Sequence, residues 1–188
     1  SSIKNVSLKT MREFKIFLPP LNEQKRIVEK IEEEFWKIDE GVEKLKLAQE
    51  QIKQYRQSVL KSAFEGKLYK TTEWESDKLG NIFETSSGGT PKRGNSLYYG
   101  GNIPWLKSGE LNNGIVTEAE EYITEEGLKN SSAKLFPRGS LLIALYGATV
   151  GKLGILDFDS TTNQAICCIY QNKYYDRDFL FYYLLFKK

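Results

Sequence analysis

Four short stretches hold the residue types from which a site could be built: Ser86-Ser-Gly-Gly-Thr-Pro-Lys-Arg-Gly-Asn-Ser96, Lys107-Ser-Gly-Glu110, Tyr146-Gly-Ala-Thr-Val-Gly-Lys152 and Ser160-Thr-Thr-Asn-Gln164. All four are rich in hydrogen-bonding side chains, and the first three contain glycine. A phosphate-binding loop needs GxxxxGK[ST]; Gly147 to Lys152 reads GATVGK, with the wrong spacing and Leu153 in place of the hydroxyl residue, so nucleotide hydrolysis is not expected. The composition suits a surface that grips duplex DNA, where Lys and Arg meet phosphates while Asn, Gln, Ser, Thr and Arg read base edges. The candidate contacts are Lys92, Arg93, Asn95, Lys107, Ser108, Tyr146, Thr149, Lys152, Asn163 and Gln164. Lys92 and Arg93 are the strongest of them, and replacing both with alanine is expected to weaken DNA binding and flatten its salt dependence. Ordinary β-turns have the same composition, and at the level of single residues that reading stands beside the first.

Catalysis has less support. The chain has no histidine, so Ser86, Ser87 and Ser108 lack the usual general base and zinc chemistry lacks its commonest ligand. Asp157, Asp159 and Glu110 form no recognisable metal or glycosidase constellation. Neither a reaction nor a cofactor nor a metal is expected. The two cysteines, Cys167 and Cys168, are neighbours in an apolar run. Adjacent strand residues point to opposite faces, so they read as small buried hydrophobes in a reducing compartment.

The element that must position these loops lies upstream. Residues 21 to 65 carry no proline and read as one helix. Its a/d register runs Val28, Ile31, Phe35, Ile38, Val42, Leu45, Gln49, Ile52, Arg56, Val59 and Ala63, and nine of these eleven are apolar. Such a seam, sustained for five heptads, marks a coiled-coil helix whose partner must come from elsewhere, because the chain holds no second heptad run. At 1.5 Å per residue the rod is roughly 65 Å long. Its charged flanks read as a solvated face of i,i+4 pairs, and Gln49 and Arg56 would set register with the partner helix.

The remaining segments divide around this rod. Residues 1–20 give a helical turn near Ser7 to Arg12 and a strand over Phe14 to Leu18, stopped by Pro19-Pro20, and look like the tail of a domain whose body comes later. Gly66 caps the helix, and residues 67–77 form a polar connector. Over 78–188, short apolar runs predict strands at Ile82 to Thr85, Ile103 to Lys107, Gly114 to Val116, Leu141 to Tyr146, Leu153 to Leu156 and Ala165 to Tyr170. Helices are expected near Thr124 to Leu128 and after Asp176. The fold class is α+β: one long coiled-coil helix attached to a mixed, mainly β domain with short helices. With 40% AVILMFWYC and 13% aromatic residues the chain should fold, and a net charge of +2 permits nucleic-acid binding without implying it. Without a signal-peptide pattern or a run of about 18 apolar residues, the expectation is the cytoplasm and no membrane span.

Two groups of motifs resemble a known family. Leu18-Pro-Pro-Leu-Asn-Glu-Gln-Lys-Arg-Ile-Val28 and Tyr55-Arg-Gln-Ser-Val-Leu-Lys-Ser-Ala-Phe-Glu-Gly-Lys-Leu68 resemble the central conserved region of specificity subunits of Type I restriction-modification enzymes. Gly88-Gly-Thr-Pro91, Ile103-Pro-Trp-Leu-Lys-Ser-Gly-Glu-Leu111, Leu142-Ile-Ala-Leu-Tyr-Gly-Ala-Thr-Val-Gly-Lys152 and Thr162-Asn-Gln-Ala165 resemble a target recognition domain of that family. The resemblance implies a non-catalytic scaffold that reads one half of a bipartite site in double-stranded DNA. It also implies docking of DNA methyltransferase subunits and of a motor-nuclease restriction subunit. A full subunit has two recognition domains and two long helices, whereas this chain has one of each, as in a half-subunit or a permuted fragment. Two-fold pairing with a second copy through Val28 to Ala63 would supply the missing helix. The competing reading is a coiled-coil adaptor whose β domain binds another protein; a DNA footprint separates the two.

Overall fold

The computed structural model describes residues 7–68 and 74–188; the chain divides into two compact units, Ser1–Tyr55 and Arg56–Lys188. Part of the connector expected over 67–77, and the first six residues of the expected tail, lie outside the described residues.

In the first unit, Ser7 caps α1 (Leu8–Arg12) by accepting a hydrogen bond from the Thr10 N–H. The strand expected over Phe14 to Leu18 does not form. These residues are exposed, and no strand pairs with them among the described residues. A single apolar segment has no reason to be a strand without a neighbour to complete its hydrogen-bond ladder. Pro19-Pro20 then leads into α2 (Leu21–Phe64), a helix of 44 residues that continues into the second unit. The Pro20 carbonyl accepts from the N–H groups of Glu23 and Gln24, and the Gln24 side chain donates back to the Pro19 carbonyl at 2.7 Å. None of the helix is buried: Val28, Ile31, Phe35, Ile38, Val42, Leu45, Ile52 and Val59 all remain exposed. Lys30 and Lys37 each pair with Glu33 and Glu34, Lys44 with Glu40 and Lys46 with Glu43, so the flanks satisfy one another along the helix. Two lysine hydrogen bonds pull the Glu33 carboxyl down to about 2.

At its C-terminal end α2 closes as a Schellman turn. Gly66 takes φ 72°, its N–H bonds to Ala63, and the Lys67 N–H bonds to Ser62 at 2.8 Å. Phe64 is held within the second unit by an aromatic cluster, its ring 5.3 to 5.5 Å from those of Phe179, Tyr183 and Phe186.

The second unit is built on two sheets. The larger has the order β1 (Thr85–Ser87), β8 (Ile166–Ile169), β5 (Leu141–Ala144), β6 (Leu153–Leu156) and β3 (Gly114–Val116). The smaller has β4 (Glu121–Ile123), β2 (Tyr99–Leu106) and β7 (Thr161–Thr162). One core, around Leu106, Phe136, Leu142, Leu156, Ile166 and Cys168, draws residues from both sheets. The opposite face of the larger sheet packs Leu141, Leu153 and Ile169 against α3 (Leu79–Ile82) and α5 (Arg177–Phe186) through Phe83, Leu180 and Phe181. A third cluster sets Trp105 and Ile123 against Leu128 of α4 (Glu125–Lys129). Thr124 and Asp176 cap α4 and α5 through hydrogen bonds to Gly127 N and Phe179 N.

The strand expected at Ile82 to Thr85 is corrected. Asp77 accepts hydrogen bonds from Lys78 N and Asn81 Nδ2, closing a helical turn, and the strand begins only at Thr85. The turn brings Leu79, Ile82 and Phe83 to the same core, which an extended chain could not do. Cys168 is fully buried and Cys167 half-buried, and burial pushes the Cys168 thiol up to about 12. Among the described residues, no helix is long and apolar enough to cross a membrane.

Candidate nucleic-acid interface

Strand direction gathers the four polar loops at one end of the second unit. β1 ends where β8 begins, with Ser87 opposite Cys167, and β5 ends beside the same point, with Ala144 opposite Ile166. β6 starts there too, with Leu153 opposite Ile143, and β3 runs parallel to it from Gly114. In the smaller sheet Leu106 and Thr162 end β2 and β7 side by side. The loops after β1, β2, β5 and β7 therefore emerge together, carrying all ten candidate residues. Backbone bonds tie them: Leu145 N to the Ala165 carbonyl, Asn163 N to the Leu106 carbonyl and Gly89 N to the Thr162 carbonyl, each at 2.8 Å.

The ten residues fall into two sets. Asn95 caps a short 3-10 turn by accepting from Leu97 N, Asn163 Oδ1 accepts from Ala165 N, and Gln164 bonds to Thr90. Arg93 bonds to Glu121, and Lys107 bonds to Glu120 and Glu121. These five support the loops. Among the described residues, the side chains of Lys92, Ser108, Tyr146, Thr149 and Lys152 make no hydrogen bond or ion pair, which leaves them free to meet a ligand.

Sequence reasoning missed the frame beneath them. Trp105, 1% exposed, donates its indole N–H to the Gly89 carbonyl at 2.9 Å, and Tyr99 donates its hydroxyl to the Pro91 carbonyl at 2.6 Å. A Cβ on Gly88 would collide with Thr162, and one on Gly89 with the backbone of Ser132 and Ala133, so only glycine permits this approach. Glu110 accepts from Lys107 N and Glu120 N, locking the turn after β2 to the strand-leading segment of β4. The acidic run Glu118-Ala-Glu-Glu121 was the available signal, since carboxylates need cations and the candidate loops are basic.

The Glu121 carboxyl is held below its usual range, first by its hydrogen bond from Arg93 and then by that from Lys107. A depressed folded value means stability that is present above the unfolded carboxylate range and lost as pH falls through the folded one. Chemical denaturation on descending pH should therefore show the unit weakening, and Glu121→Gln should blunt that loss. Arg93 and Lys107 are the charged groups that set it. An equal acid loss in the variant would remove Glu121 from the explanation.

A family model described as "Type I restriction modification DNA specificity domain" matches residues 1–55 and 71–188. The chain belongs to this family. It is similar to the Type I restriction enzyme MjaIX specificity subunit of Methanocaldococcus jannaschii, 33% identical over 65% of this chain and 28% of the relative. It is likewise similar to the EcoR124I/EcoR124II specificity subunit of Escherichia coli, 32% identical over 64% of this chain and 29% of that protein. A solved chain from a study of complex assembly and conformational transition of the type I R-M system covers 90% of this chain and 42% of its own length, with TM-score 0.63 and 20% identity. That likeness confirms the α+β architecture of a Type I specificity domain: a long helix joined to a mixed-sheet domain with short helices. The chain spans under a third of these two curated relatives and under half of the solved chain.

Proposed function

We propose that this chain is a DNA-sequence specificity component of a Type I restriction-modification system, and that the loop end of its β unit reads one half of a bipartite site in duplex DNA. The observation that carries the reading is the convergence of four polar loops at one end of the sheets, with Lys92, Ser108, Tyr146, Thr149 and Lys152 unengaged among the described residues. Lys92 and Lys152 supply phosphate contacts, and the polar side chains beside them reach the groove. The exposed seam of α2, from Val28 to Ala63, pairs with the same helix of a second copy. The assembly then presents two reading ends at a fixed separation and offers a scaffold for methyltransferase and restriction subunits. Residues 1–20, with Phe14, Ile16, Phe17 and Leu18 exposed, supply the tail of a recognition domain. Family membership and the fold support this reading.

Methylome mapping after coexpression with the cognate methyltransferase tests it. A bipartite methylated motif is the expected result, whereas an unmethylated genome together with no footprint on duplex DNA would favour the adaptor reading. Within that framework, Lys92→Ala with Lys152→Ala should weaken duplex binding and reduce the slope of log K against log salt by about 0.9 for each phosphate no longer neutralised. Fluorescence anisotropy across a salt series measures it, and an unchanged slope would remove both lysines from the interface.

A further inference from the structure

Of the two strongest candidates in the sequence, Arg93 is placed differently from its neighbour Lys92. Its guanidinium lies 4.8 Å from the Tyr99 ring centroid and 4.6 Å from that of Trp105, and its Nη1 is 2.5 Å from Glu121 Oε2. The other carboxylate oxygen of Glu121 is 3.0 Å from Lys107 Nζ, which also meets Glu120 at 2.9 Å. Two cations thus meet two carboxylates, and Glu110 fixes the backbone beneath them by accepting from Lys107 N and Glu120 N. A cation already neutralised by carboxylates releases few counterions when a phosphate arrives, so this cluster offers little of the drive for DNA binding. To touch a phosphate, Arg93 would have to leave two aromatic faces and an ion pair together.

What the cluster does hold is the loop. Tyr99 and Trp105, the rings under Arg93, are the same two that grip Pro91 and Gly89 by hydrogen bonds. Arg93 therefore closes a clamp whose other jaws fix residues 89 and 91 and leave Lys92 projecting between them. We infer that Arg93, with Glu121 and Lys107, is a positioning device for DNA recognition: it shapes the Gly88 to Asn95 loop so that Lys92 and its neighbours reach the duplex, and makes no phosphate contact itself. This rests on the DNA-reading proposal above.

The two roles predict opposite signs for one variant. Glu121→Gln removes the carboxylate that occupies both cations. If Arg93 and Lys107 bound phosphate, binding would tighten; as a positioning device, the loop loosens and binding weakens by about tenfold, the scale of removing a single well-placed interaction with the duplex. The assay is anisotropy with the chain assembled with its methyltransferase, on a duplex carrying the methylated motif, across a salt series. Arg93→Ala should weaken binding similarly with the salt slope of the wild type, while Lys92→Ala should lower that slope. Hydrogen exchange on the DNA-free chain should show the amides of residues 88–96 losing protection in both clamp variants, with the core strands still protected. Tighter binding by Glu121→Gln, or a reduced slope in Arg93→Ala, would overturn the positioning role while leaving DNA reading intact. Absence of duplex binding by the wild type would instead overturn DNA reading, and with it the role assigned here, even if the loop amides respond.

Discussion

Replacing Trp105 with alanine should destabilise the β unit by about 3–5 kcal/mol, the range for deleting a fully buried indole. Three losses coincide at this position. The ring is 1% exposed and packs with Ile123 and Ala133, so its removal leaves a cavity between the smaller sheet and α4. The Gly89 carbonyl loses its donor, and Arg93 and Tyr99 lose the ring they pack against, the latter edge-on at 6.2 Å. Trp105→Phe separates these effects. It keeps most of the apolar volume and a ring for Arg93 but removes the N–H, and should cost about 1–3 kcal/mol. Urea denaturation followed by circular dichroism reads both values. An alanine variant that loses under about 1 kcal/mol would show that the indole is not a keystone of this unit.

A change on the seam of α2 should alter assembly rather than the β core. Ile31→Asp combined with Ile38→Asp puts charges at two core positions of each helix, hence four in a two-fold pair. Burying an unpaired charge costs several kcal/mol, so the dimer dissociation constant should rise by more than about a hundredfold. Sedimentation at micromolar concentration should show the wild type as a dimer and the variant as a monomer. The core around Leu142 and Ile166 should melt as before, because neither aspartate lies in it. Helix content should also fall, since a long amphipathic helix owes most of its stability to the partner that covers its apolar face. A wild type that sediments only as a monomer would sink the pairing proposal. Gln49, at the a position in mid-seam, gives a finer check: leucine there should tighten association and loosen the specificity of register.

Local patterns carried much of the architecture. Gly114 to Val116 and Leu153 to Leu156 form strands with the expected limits, and Leu141 and Ile166 lie in the expected apolar runs. Asp176 and Gly66 cap their helices as their chemistry requires. The misreadings differ in cause. Phe14 to Leu18 has the apolar residues of a strand but no described ladder partner, and Leu79 to Ile82 coils because Asp77 closes the turn. Strands β4 and β7 are only three and two residues long, and exist only because β2 lies between them. Pairing across such distances along the chain leaves no periodicity within a segment.

For the candidate interface, the chain by itself determined the loops, the residue types within them and the heptad seam, because composition and spacing are properties of contiguous residues. The tertiary structure decided that the four loops share one end, since that follows from strand direction and register. It also decided which polar groups are free. Lys92 and Arg93 are adjacent and chemically alike, yet one projects into solvent while the other lies on Tyr99 and Trp105 with its charge on Glu121. Glu121 is 28 residues away from Arg93 in sequence, and only the antiparallel pairing of β2 with β4 brings the two together.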